Sequence, residues 1–118
     1  MKNFSKIASE YSSGFGELAK EIPGPTKAFE DLFTTSVKDG ALSRKTKELI
    51  AFGIAIAVRC DGCIAAHSKS VLAAGASRDE VAEMIGVAIL MGGGPATVYG
   101  VEAMRAFDEF SAAKVAAE

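Results

Sequence analysis

Between Glu48 and Arg59 lies a run of ten apolar residues, Leu49 to Val58, and it limits the fold more than any other stretch of the chain. A bilayer-spanning helix needs about 20 such residues, so this run belongs to a protein core. Ile54 and Ile56 fit a strand's period of two. The intervening alanines, the length of the run and the helical patterns on both sides favour a helix. Ser43 is placed to cap it, and it extends to about Val58. Residues 50–57 are apolar on all sides, which predicts a helix buried on every face.

The flanking sequence has the period of helices throughout. Phe4, Ile7, Ala8, Tyr11, Phe15, Leu18 and Ile22 recur at spacings of three and four, with Gly14 and Gly16 weakening the middle and Pro23-Gly24-Pro25 ending the pattern. A second helix is expected from near Pro25 to Asp39-Gly40, with Phe29, Leu32, Phe33 and Val37 facing inward. A fourth opens at the cysteines and ends at Gly75, a suitable left-handed cap. Ser77-Arg78-Asp79-Glu80 has the spacing of a capping box that starts a fifth helix, running to about Met91. Gly92-Gly93-Gly94 then reads as a helix break, and Pro95 suits the first turn of a sixth helix. The glycines match a dinucleotide fingerprint poorly, because Thr97 stands at the third glycine position and no strand precedes them. Met84, Met91 and Met104 read as core or subunit-contact residues. The expectation is an all-α fold of about six helices in one domain covering residues 1–118.

With 13 basic and 15 acidic residues, the charge of −2 excludes the broad basic footprint of a nucleic-acid binder. Neither a secretory leader nor a membrane span is evident, and two cysteines make a poor secreted disulfide framework. A cytoplasmic protein with a special use for its thiols is expected. Apolar residues reach 49%, more than one layer of short helices can cover, which predicts a homo-oligomer.

The chemistry is concentrated in Cys60-Asp61-Gly62-Cys63 and His67, the only histidine. A thiolate is favoured where a helix begins, because free amides and the positive end of the dipole point there. Cys63 and His67 are four residues apart and share a helical face, so the imidazole can take the thiol's proton. Cys60 is near enough to trap a sulfenic acid on Cys63 as a disulfide. Glu48 opens the apolar run and, drawn inward as the helices pack, would orient the His67 ring. Bland readings stand beside these. The cysteines could be buried structural thiols, or Cys60, Cys63, His67 and Glu48 could ligate a metal. His67 could be a core residue, and Glu48 could pair with Arg44 or Lys45 at the surface. Asp61 could cap the fourth helix. Ile64 stands where covalent haem attachment needs histidine, and no βαβ pattern surrounds the CxxC.

Glu48, eleven residues, Cys60-x-x-Cys63, three residues and His67 together resemble the signature of the AhpD-like alkylhydroperoxidases, in the carboxymuconolactone decarboxylase superfamily. The resemblance implies an AhpD-like helical bundle and a peroxiredoxin-type hydroperoxide reductase. Cys63 would attack the peroxide, Cys60 would resolve the product as a Cys60–Cys63 disulfide, and Glu48 and His67 would relay protons. It further implies a homotrimer or homohexamer; the electron donor stays open among a lipoylated protein, a thioredoxin-like protein and a low-molecular-weight thiol, and no organic cofactor or metal is expected because the cysteines carry the electrons. Gly62 stands where the best-known members carry a second histidine, so a disulfide reductase is a variant of the same reading. A lactone or keto-acid lyase, from the decarboxylase side of the superfamily, and a non-catalytic metal-binding or interaction module are the alternatives.

Overall fold

The computed structural model describes residues 2–118, which form six helices and, among the described residues, no strand. The first helix, α1 (Phe4–Glu21), is capped by Asn3, whose side chain accepts from the Lys6 amide. Glu109, from the far end of the chain, accepts from the amides of Phe4 at 3.2 Å and Ser5 at 2.9 Å. The Ser5 amide, helped by that of Phe4, holds the Glu109 carboxyl below its usual range. A negative charge at this end complements the helix dipole.

The second helix, α2 (Pro23–Ser36), begins two residues earlier than Pro25. Its first turn can include both prolines because the first amides of a helix have no internal partner. Its expected inner face is corrected by the structure. Phe29 and Leu32 are exposed and Phe33 is only partly covered, while Thr26 is the helix's buried residue. The cause is topological, since the α2 backbone lies close to α1 alone and meets α4 only through side chains such as Phe33.

Ser43 caps α3 (Arg44–Ala57) through the Thr46 amide, as its sequence position predicts. Burial of this helix on every side does not hold. Phe52, Ala55 and Ile56 are buried against α4 (Asp61–Ala73), α5 (Arg78–Gly92) and α6 (Gly94–Ala117). Ile50, Ile54 and Val58, each four residues on from the last, form a stripe that no helix covers.

Helix α3 ends in a left-handed turn at Arg59, with φ +58°. The Arg59 amide donates to Ile56 O and the Cys60 amide to Ala55 O, the paired bonds of a Schellman motif. The same motif closes α4 at Gly75, φ +88°, where glycine was expected. At Arg59 a bulky side chain adopts the conformation without glycine's freedom.

The capping box of α5 is formed by Ser77 and Glu80. The glycine break before α6 turns on Gly93, φ +69°, and Pro95 lies in the first turn of α6. Helices α5 and α6 approach closely at Gly100, where an added Cβ would lie 2.8 Å from Ile85. Met84 and Met104 pack against the core, whereas Met91 is exposed. The core gathers Phe52 and Ile56 from α3, Ile64 and Val71 from α4, Val81 and Ile85 from α5, and Phe107 from α6. Phe4 of α1 joins it from above. No helix among the described residues is long and apolar enough to cross a membrane.

Candidate active site

The Schellman turn that ends α3 also starts α4. Cys60 is the last residue of the first motif and the N-cap of the next helix, with its Sγ 3.1 Å from the Cys63 amide it accepts from. Asp61 is therefore not the cap. It is the first residue of α4, and its carboxylate pairs with Lys2 at 3.0 Å. That hydrogen bond is the main cause holding the Lys2 amine above its ordinary range. Cys60 and Cys63 are joined in a disulfide with their Cα atoms 5.1 Å apart. Both sulfurs thus lie at the helix end where amides and dipole favour negative charge.

Helix α4 packs back along α3, which brings His67 to Glu48. Glu48 is wholly buried, and its Oε2 lies 3.0 Å from His67 Nδ1. The solvated alternative for Glu48 is excluded by this burial, and Lys45 pairs with Glu80 of α5 instead. With an ionised Glu48, which can only accept, Nδ1 is the donor in this bond. Glu48 Oε1 is buried with no hydrogen-bond partner among the described residues. A buried polar atom without a partner is costly to keep.

The imidazole is 18% exposed, and its outer side is covered by the Phe33 ring, 6.0 Å away between centroids. Phe33 is part of a groove of about 650 Å³ between α1, α2 and α4. Its walls are Tyr11, Phe15, Phe29 and Phe33, and Cys60, Cys63 and His67 open into it. All four sequence-predicted site residues are thus brought together, three on the groove and Glu48 behind His67. Sequence reading placed the four aromatics on helix faces without linking them to the site. The available signal was that the aromatic faces of the two helices preceding the motif need a surface to cover.

The chain matches the carboxymuconolactone decarboxylase family model over residues 23–115. A carboxymuconolactone decarboxylase family protein from Legionella pneumophila has a similar crystal structure, with a TM-score of 0.89, 44% identity, and coverage of 92% of this chain and 96% of that one. A family member from Thermotoga maritima, for which involvement in an antioxidative response has been suggested, gives a TM-score of 0.74 at 28% identity, covering 89% and 96%. An uncharacterized protein of Cupriavidus necator is 35% identical over 104 residues, covering 88% of this chain and 92% of its own. From its helices to its sequence, the chain belongs to the carboxymuconolactone decarboxylase family.

Proposed function

We propose that this chain is a thiol-dependent oxidoreductase that reduces hydroperoxides and cycles through the Cys60–Cys63 disulfide. The observation that carries the reading is the wholly buried Glu48 holding His67 one helical turn beyond Cys63, beside a cysteine pair at a helix N-terminus. In the reduced protein, His67 Nε2 takes the Cys63 proton. The thiolate attacks the terminal oxygen of the hydroperoxide, the O–O bond breaks, and the alkoxide leaves as an alcohol with the proton held by His67. Cys63 is left as a sulfenic acid. Cys60 attacks that sulfur, the disulfide forms, and hydroxide departs as water with the Cys60 proton.

Reduction of the disulfide has a direction set by the same helix end. The Cys63 amide donates to Cys60 Sγ, so Cys60 is the better-stabilised leaving thiolate. A dithiol donor therefore attacks Cys63, releases Cys60, and is itself oxidised when its second thiol displaces Cys63. The pair carries both electrons, so the cycle needs neither an organic cofactor nor a metal. A cytoplasmic setting, where thiol donors are abundant, completes the reading. Assembly as a homotrimer or homohexamer also belongs to it, because the Ile50, Ile54 and Val58 stripe needs cover.

The test is a free-thiol count and intact mass on reduced protein before and after one equivalent of cumene hydroperoxide. Loss of both thiols with a mass decrease of two hydrogens is expected. Cys63→Ser should abolish peroxide consumption, and Cys60→Ser should stop after one sulfenic acid per chain. Unchanged turnover in Cys63→Ser would remove the assignment.

A further inference from the structure

The helix turn that carries the cysteine pair also carries a carboxylate. Asp61 is the first residue of α4 and lies between Cys60, the N-cap, and Cys63. The helix dipole favours an aspartate there, as it favours a thiolate, so two anions would share one positive helix end and repel each other. Left uncompensated, Asp61 would favour the protonated, unreactive thiol.

Compensation comes from Lys2. Its Nζ lies 3.0 Å from Asp61 Oδ1, 3.6 Å from Glu102 Oε1 of α6, and 5.4 Å from the centroid of the Tyr99 ring. The backbone that follows fixes it there. Asn3 caps α1, the amides of Phe4 and Ser5 donate to Glu109, and Phe4 is buried in the core. The other charged groups around the pair are engaged elsewhere or solvated. Arg59 is exposed on the turn without an ion-pair partner among the described residues. His67 is bound to Glu48, and Glu30 and Lys69 lie along the aromatic groove. Among the described residues, Lys2 alone forms an ion pair with Asp61.

We propose that Lys2 is a positioning residue for the thiol chemistry, acting through Asp61: it holds a compensating positive charge at the start of α4, so that Asp61 does not suppress the thiolate of the reduced pair. A disulfide carries no charge, so the compensation acts on the reduced, reactive state. Its use in peroxide turnover rests on the redox reading; the charge effect on the thiols stands on the geometry of this turn alone.

The test is the rate at which iodoacetamide alkylates the reduced full chain at about pH 7 and low ionic strength, followed by intact mass. Lys2→Gln should slow the first alkylation about twofold and Asp61→Asn should speed it about twofold, the size of effect one charge about 8 Å away exerts through water. The double variant Lys2→Gln/Asp61→Asn should return close to the wild-type rate, and Lys2→Arg should keep it. In about 0.5 M NaCl both single effects should shrink toward none. Both side chains are partly exposed, 36% for Lys2 and 44% for Asp61, so neither substitution opens the core. A purely structural tether predicts another pattern, because each single variant breaks the same bridge and would move the rate the same way. Single variants that shift the rate in one direction, a Lys2→Gln rate equal to wild type, or effects that salt does not reduce would overturn the proposal. Cumene hydroperoxide consumption by the wild-type chain separates the two claims. Its absence with the opposed charge effects intact sinks the redox reading alone, and turnover with alkylation rates equal in all variants sinks the role of Lys2 alone.

Discussion

Replacing Glu48 by glutamine distinguishes a carboxylate that serves the reaction from one that holds the fold. The side chain is fully buried, one oxygen bonds His67 Nδ1 at 3.0 Å, and the other has no partner among the described residues. Glutamine keeps the volume and exchanges a charge-assisted hydrogen bond for a neutral one, a loss of about 1–1.5 kcal/mol. Against this, a neutral amide costs about 1–3 kcal/mol to bury with a polar atom unsatisfied, whereas a half-satisfied carboxylate costs several. The two changes oppose each other at similar size, so Glu48→Gln is expected to leave stability within about 1 kcal/mol of wild type, on either side. Were the pair a structural ion pair, breaking it would cost about 3–5 kcal/mol.

Thermal unfolding resolves these outcomes. Unfolding entropy of about 2.1 cal/mol/K per residue gives this 118-residue chain ~0.25 kcal/mol/K, so 1 kcal/mol moves Tm by about 4 °C and 3–5 kcal/mol by about 12–20 °C. Both proteins should be oxidised and compared at equal concentration, because a subunit equilibrium would shift Tm. Peroxide turnover should fall by about 10- to 100-fold, as when a group that orients another is removed. The glutamine can donate to Nδ1 and so stabilise the tautomer with its proton on Nε2, which cannot accept from Cys63. A Tm loss of more than about 12 °C with turnover retained would refute the assignment of Glu48 to the reaction.

Three further outcomes are expected. Glu109→Gln should lower stability by about 1 kcal/mol at pH 7, the scale of a helix N-cap. The folded Glu109 carboxyl is held below the ordinary glutamate range, so its contribution is complete above that range and is lost as pH falls through the depressed folded value. Stability curves of wild type and variant should therefore run parallel above about pH 5 and converge below about pH 4; a constant gap down to about pH 2 would show that the Glu109 charge does not stabilise the start of α1. Arg59→Gly should raise stability by about 0.5–1 kcal/mol in denaturant unfolding, since relief of the left-handed strain exceeds glycine's extra chain entropy, and a loss would place the Arg59 side chain in contacts that matter more than its backbone. If the proposed homo-oligomer forms through the α3 stripe, Ile54→Lys should leave a folded 12.2 kDa monomer in light scattering where wild type gives a larger mass, because the side chain is exposed in the single chain; equal masses for the two proteins would remove α3 as the contact.

What was legible in the sequence was what is local. Ser43, the Ser77–Glu80 box and the Gly75 cap each concern residues within one helical turn, and each formed as read. The CxxC and the histidine four residues on are likewise a within-helix relation. Glu48 meeting His67 is the one long-range contact the residues suggested, and only as one of two readings, since a surface pair with Arg44 or Lys45 fitted the same position. Asp61 misled because aspartate is a good N-cap by type. Here the Schellman turn at Arg59 puts Cys60 one residue ahead of it, in the capping position.

The apolar faces of α2 and α3 show where local pattern stops. A stripe of Phe29, Leu32 and Phe33 says that a face will be covered, and it does not say by what. The α2 backbone lies close to α1 alone, so Phe29 and Phe33 form the wall of a groove beside the disulfide instead of a core. Ile50, Ile54 and Val58 say the same of α3, where three helices fill one side and none the other. These two failures of burial have different consequences. The α2 face opens onto Cys60, Cys63 and His67, and a concave aromatic wall beside reactive groups is suited to a ligand. The α3 stripe is an exposed apolar row of Ile50, Ile54 and Val58, suited to another protein surface. The same excess of apolar residues over what six short helices can bury thus leaves two uncovered faces, one beside the cysteine pair and one on α3.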